Sequence, residues 1–143
     1  SLRYANVYGP RQDPFGEAGV ISVFCQNLLD GVAPEIQWDG EQTRDFVYVS
    51  DCARANTLAL QKGDGQAYNV GTGVGTSINT LLNTLMEVAG QDLTPRRGPR
   101  RPGDVRHSYL DCTRIESDLG WQAQVSLREG LERTWAHFQR GRV

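Results

Sequence analysis

The sequence is short of several residues that usually announce a site. Lys62 is its only lysine, so no Walker-type phosphate loop, which closes on lysine, can be written on it. Cys25, Cys52 and Cys112 are far apart and form no C-x-x-C. With only His107 and His137 beside them they give no zinc spacing. Read as three reduced thiols, they point to a cytoplasmic protein. Neither histidine has an acidic or serine partner at a telling spacing, so no catalytic triad is inferred. No apolar run approaches the roughly 20 residues of a membrane span. The formal net charge of -2 lacks the basic excess of a dedicated nucleic-acid binder.

What is present suits one domain with a real core: 143 residues, 38% hydrophobic and 22% charged. Residues 2 to 7 read as a strand ending at Gly9-Pro10, and residues 11 to 16 as a polar loop. Val20, Ile21, Phe24, Leu28 and Leu29 recur at helical spacing over 18–31, closed by Gly31. Residues 35–37 and 46–49 read as strands. Ser50 or Asp51 is expected to cap a helix that stops by Gly63. Residues 67–70 form another strand. Thr76 or Ser77 caps a helix closed by Gly90, and Asp111 caps a short one ending at Leu119. Ser126 and Glu129 read as a capping box for the last helix, over 126–140. Trp121 and Trp135 are expected in the core, and residues 141 to 143 are expected to fray. Strands alternating with helices make the fold class α/β.

The stretch GEQTRDFVYVSD, residues 40 to 51, raises a question. A charged pair, Arg44-Asp45, runs straight into an apolar strand. Neighbouring strand residues point to opposite faces, so Arg44 and Asp45 are poorly placed to pair with each other. A guanidinium is a rigid fork of donors that fits phosphate oxygens. The stretch GTGVGTS, residues 71 to 77, follows a strand and opens a helix as a dinucleotide fingerprint does. Its glycines nevertheless alternate, position 76 is Thr, and no acidic residue ends a second strand about twenty positions on. It reads as a turn plus a helix N-terminus, which can still help to bind an anion. Arg96, Arg97, Arg100 and Arg101 lack interleaved aromatics, which disfavours a base-stacking platform. Pro95, Pro99 and Pro102 stiffen that segment and could hold arginines for one compact polyanion. Asp104 offers acceptors to a ribose hydroxyl.

Six stretches then fall in one order: RYANVYGPRQ (3–12), GEAGVIS (16–22), DGEQTRDFVYVSD (39–51), YNVGTGVGTSIN (68–79), RPGDVRHS (101–108) and LGWQAQVSLREGL (119–131). Together they resemble the C-terminal, substrate-binding part of the NAD-dependent nucleotide-sugar epimerase/dehydratase family. These are extended short-chain dehydrogenases typified by UDP-glucose 4-epimerase. The resemblance implies the C-terminal half of a Rossmann-like α/β fold, a small substrate lobe plus strands of a truncated parallel sheet, as one domain over 1–143. It implies that Asn6, Arg44 and Arg101 hold the diphosphate of a nucleotide sugar, with Asp104 near the ribose. Val20 and Ile21 would cover the nucleotide, Ile36 and Gln37 would lie beside the base, and Tyr4 and Ala5 would lie next to the nicotinamide of NAD. Where the family has glycine before Asp-Gly, this chain has Trp38, an indole expected to narrow or rebuild the base pocket.

The family's chemistry also needs a glycine-rich loop for NAD and a Tyr-x-x-x-Lys pair. Neither is in these 143 residues: four positions before Lys62 stands Leu58. Both elements normally precede the RYANVYGP strand, so the expectation is a chain missing its N-terminal NAD-binding half. It would be inactive alone, bind no cofactor or metal by itself, and cover bare strand edges by self-association. The alternatives are a free-standing nucleotide-sugar binding module without catalysis and the C-terminal part of a nucleotide-sugar dehydratase. A nucleic-acid or membrane partner is not expected.

Overall fold

The computed structural model describes residues 1–15 and 19–141. The parts of the expected polar loop, of GEAGVIS and of the first helix that fall on residues 16 to 18, and the fraying expected at 142 and 143, lie outside the described residues. The strand expected over 2–7 is two pieces, β1 (Leu2–Tyr4) and β2 (Asn6–Tyr8). The break is a change of partner. β1 pairs in parallel with β6 (Tyr68–Val70), and β2 pairs in parallel with β5 (Phe46–Tyr48). The Ala5 amide donates to the Val70 carbonyl at 2.9 Å, and the next amide, Asn6, donates to the Asp45 carbonyl at 2.8 Å. One extended run is thus flanked by β6 on one side and β5 on the other.

Three amphipathic helices build the larger core: α1 (Val20–Leu29), α3 (Ile78–Ala89) and α5 (Leu127–Arg140). Phe24, Leu28, Leu81, Leu85, Leu131 and Trp135 meet Tyr8, Phe46 and Tyr48 there. Two further helices, α2 (Val49–Ala59) and α4 (Thr113–Leu119), help close a second cluster, in which Val47, Ala55, Val70, Ile115 and Trp121 pack. The alternation of β5 explains the pair of cores, because Phe46 and Tyr48 face one and Val47 the other. Gly130 permits the close packing of α5, since a Cβ there would sit 2.0 Å from the Tyr8 hydroxyl.

Local signals hold where they are self-contained. Ser77 caps α3 by accepting from the Thr80 amide at 3.1 Å, and Gly90 closes that helix at φ 65°. Ser126 caps α5, but Glu129 turns to Arg133 rather than completing a capping box. Asp111 accepts from the Thr113 amide at 2.9 Å, but the N-cap of α4 is Cys112, one residue later than expected, with no side-chain cap bond. The cap expected from Ser50 or Asp51 is not made. α2 begins at Val49 with no side-chain cap, and buried Asp51 instead accepts from the amides of Gln124 and Val125, both at 3.0 Å.

The arginine-rich stretch is not a free loop. β8 (Arg96–Gly98) pairs in parallel with β3 (Glu35–Gln37). β4 (Thr43–Arg44) lies between β7 (Thr76–Ser77), antiparallel, and β9 (His107–Ser108), parallel. Asp45 secures this junction. Only 1% exposed, its carboxylate accepts from the Thr72 amide (2.8 Å) and hydroxyl (2.6 Å), the Gly73 amide (3.1 Å) and the Leu110 amide (3.3 Å). Gly71 lets the carboxylate approach, since a Cβ there would lie 2.4 Å from Asp45 Oδ2. Replacing Asp45 with alanine strands three backbone donors, and should lower unfolding free energy in urea by about 3 kcal/mol or more.

Candidate functional site: a hollow lined by two arginines

Six of the residues singled out from sequence line one hollow of about 300 Å³: Asn6, Val20, Gln37, Arg44, Arg101 and Asp104. They arrive on five separate features. Asn6 opens β2, Val20 opens α1, Gln37 ends β3 and Arg44 ends β4. Arg101 and Asp104 are the two ends of one turn. The Asp104 amide donates to the Arg101 carbonyl at 3.1 Å, and Gly103 sits at φ 83° after Pro102. That is a type II turn, with proline and glycine where its backbone requires them, and it sets both side chains at the hollow.

Arg44 and Asp45 part company as strand alternation dictates. Asp45 turns into the glycine turn, and Arg44 turns to the hollow. There Arg44 Nη2 meets Asp104 Oδ1 at 3.0 Å, while Nη1 donates to the carbonyls of Thr43 (2.8 Å) and Val105 (2.7 Å). Two carboxylates also line the space: Asp104 is engaged by Arg44, and Glu35 accepts from the Gln37 amide group. Among the described residues, the side chains of Arg101 and Asn6 line the hollow without a hydrogen-bond or ion-pair partner. Among the described residues, no cluster of His, Cys, Asp or Glu could hold a metal ion. No helix there is long and apolar enough to cross a membrane.

The remaining sequence candidates lie elsewhere. Ile36 is 2% exposed in the main core, and Ile21, 1% exposed, borders a smaller hollow beside Asn6. Tyr4 is half-exposed, with its hydroxyl donating to Asn56 at 2.7 Å, and the Ala5 amide is taken by Val70. Trp38 follows β3 and does not line the hollow. It adopts φ 61°, and the guanidinium carbons of Arg100 and Arg106 stand 4.3 and 4.6 Å from its ring. A left-handed backbone costs a side chain about 1–2 kcal/mol, against roughly 0.5–1 kcal/mol for each exposed cation–π contact. Arg106 also forks onto Asp39 at 2.6 and 2.8 Å, holding that carboxyl below the usual range.

Sequence reasoning missed Gln42. It is 4% exposed, lines the hollow, and donates to the Gln37 carbonyl at 2.9 Å, fixing the strand end beside it. The signal was available, since position 42 shares a face with 44 in an extended segment. A larger hollow, about 600 Å³, is lined by Gly71, Thr72, Cys112 and Trp121, and holds none of the sequence candidates.

The sequence contains no G-x-G-x-x-G. The glycine-rich turn after β6 directs its amides at Thr72 and Gly73 onto Asp45, so a carboxylate of the chain itself occupies the anion position. No lysine stands four residues after a tyrosine.

A sequence profile of the NAD dependent epimerase/dehydratase family matches residues 1–71. The UDP-glucose 4-epimerase of Mycolicibacterium smegmatis is 48% identical over 136 residues, which cover 94% of this chain and 44% of that protein. The crystal structure of UDP-glucose 4-epimerase from Thermotoga maritima with UDP-glucose superposes with a TM-score of 0.97 at 51% identity. That match covers 99% of this chain and 46% of the other. The Thermus thermophilus UDP-glucose 4-epimerase in complex with NAD gives 0.87 at 42% identity, covering 99% and 46%. The chain thus belongs to the NAD-dependent epimerase/dehydratase family, with its extended short-chain dehydrogenase, Rossmann-like α/β fold. It spans a little under half the length of these relatives.

The neighbours at 44 and 45 should respond differently to mutation. Arg44 and Asp104 are part-buried, with side chains 19% and 23% exposed, and a hydrogen bond to a charged group contributes about 1.5–3 kcal/mol. Arg44→Gln, which keeps a side-chain donor, should therefore lower the urea midpoint less than Asp45→Ala, which strands three backbone donors.

Proposed function

We propose that this hollow grips the diphosphate of a nucleotide sugar, a UDP-sugar, and that the chain is the substrate-binding portion of an enzyme resembling UDP-glucose 4-epimerase. The observation that carries the reading is the meeting of Asn6, Arg44 and Arg101, from three distant segments, at one hollow. Arg101 and the Asn6 amide offer uncommitted donors, and Arg44 is held by two carbonyls and Asp104 so that its fork is already oriented. Charge-assisted bonds of this kind are stronger than neutral ones and set orientation. Asp104, at the far end of the same turn, offers its second oxygen to a ribose hydroxyl. The volume fits a pyrophosphate with part of its nucleoside, which leaves the sugar outside the grip. The similarity to a UDP-glucose 4-epimerase whose structure contains UDP-glucose supports the same reading.

Anchoring the nucleotide lets binding energy from the non-reacting end position the reacting sugar. These residues supply that grip. They supply no tyrosine–lysine pair for proton transfer and no cradle for NAD, so the isolated chain with NAD+ should not epimerise UDP-glucose.

Calorimetric titration with UDP tests the grip. Binding should weaken as salt rises, because the attraction is between charges. Arg44→Ala and Arg101→Ala should each raise Kd roughly 10- to 100-fold, the loss of one or two charge-assisted bonds. Both variants should keep the native unfolding transition. A Kd for UDP unchanged in both variants would refute the proposed grip, and turnover by the chain alone would refute its inactivity.

A further inference from the structure

We infer that Trp38 is a positioning residue: its indole clasps the two arginines that flank the R-P-G-D turn and thereby places Arg101 and Asp104 at the hollow. The geometry points there from both sides. Arg100 immediately precedes the turn and Arg106 follows it by two residues, and both guanidinium groups stand over the same ring, at 4.3 and 4.6 Å. Arg100 also donates to the Asp104 carbonyl at 3.0 Å, which ties the indole to the backbone of the residue that meets Arg44. Arg106 is locked in turn by Asp39, the residue after Trp38.

The turn has few other anchors. Arg101, Pro102 and Gly103 are exposed, and none belongs to either core cluster. Trp38 is also absent from both clusters, although it holds the left-handed backbone that favours glycine. A bulky side chain kept at such an angle, without core burial in return, marks a constraint serving something other than stability. Here the constraint serves the turn: the left-handed angle at the end of β3 is what aims the indole at the two arginines.

The binding half of this inference rests on the nucleotide-sugar reading, and the positional half does not. Two amides report the segment without any ligand: Asp104, bonded to the Arg101 carbonyl at 3.1 Å, and Thr43, bonded to the Arg106 carbonyl at 2.8 Å. Hydrogen exchange followed by NMR should show both amides exchanging faster in Trp38→Gly and in Trp38→Leu. In Trp38→Phe, which keeps an aromatic face, they should stay near native protection. Melting of Trp38→Gly should change little, since glycine relieves the backbone while the contacts are lost. In parallel, the Kd for UDP should rise roughly tenfold in the Gly and Leu variants and recover in Phe, as expected for losing two cation–π contacts. Unchanged exchange in Trp38→Gly, or protection in Leu equal to that in Phe, overturns the clasp. If the native chain binds no UDP, the nucleotide-sugar reading fails, and the exchange comparison still decides the role of Trp38.

Discussion

The placement of Arg44 depends on one buried carboxylate. Asp45 gathers the amides of Thr72, Gly73 and Leu110 and the Thr72 hydroxyl. A turn rich in glycine exposes amide donors, and such donors attract an anion. In this protein the anion is internal. The carboxylate ties the β4–β5 segment to the turn after β6 and to the chain leaving β9. Those are the segments around Arg44, and once they are joined the pleat leaves Arg44 only one side to occupy. The turn that looks like a cofactor loop in sequence has its Thr72 and Gly73 amides taken up by this carboxylate.

The hollow is then assembled from pieces that carry almost no local signal. The expectations that the structure bears out are those fixed within a few residues: β3, the Ser77 cap and Gly90 stop of α3, the Ser126 cap, and both core tryptophans. The alternation that separates Arg44 from Asp45 was equally legible. The misses share a cause. β4, β7 and β9 are two residues each and exist only because they pair with one another across the chain. β8 is an arginine strand that no β propensity favours, held by its register with β3. Asp51 has the composition of a cap, but the amides of Gln124 and Val125, more than seventy residues on, recruit it instead. The placement of site residues from sequence rested on resemblance, because no spacing brings positions 6, 44 and 101 together. The direction that a left-handed backbone gives the Trp38 indole is not written in the sequence.

The three cysteines behave as their scattered positions suggest. Burial pushes Cys25 up to about 12 and Cys52 to about 11, and Cys112 is raised for the same reason. Thiols so far from ionising are poor nucleophiles. They contribute packing, which leaves the polar hollow as the chemically distinctive region of the chain.

The strand pairing has a kinetic consequence. Among the described residues, four of the five pairings are parallel, and they join positions as distant as Leu2 with Tyr68 and Thr43 with His107. No short hairpin among them can form early and guide its neighbours. Each ladder must first bring together remote stretches of a disordered polymer, and loop closure is uphill until the ladder rewards it. The helices can nucleate locally, but the hollow framed by these ladders should be among the last features to assemble on the way to the native state.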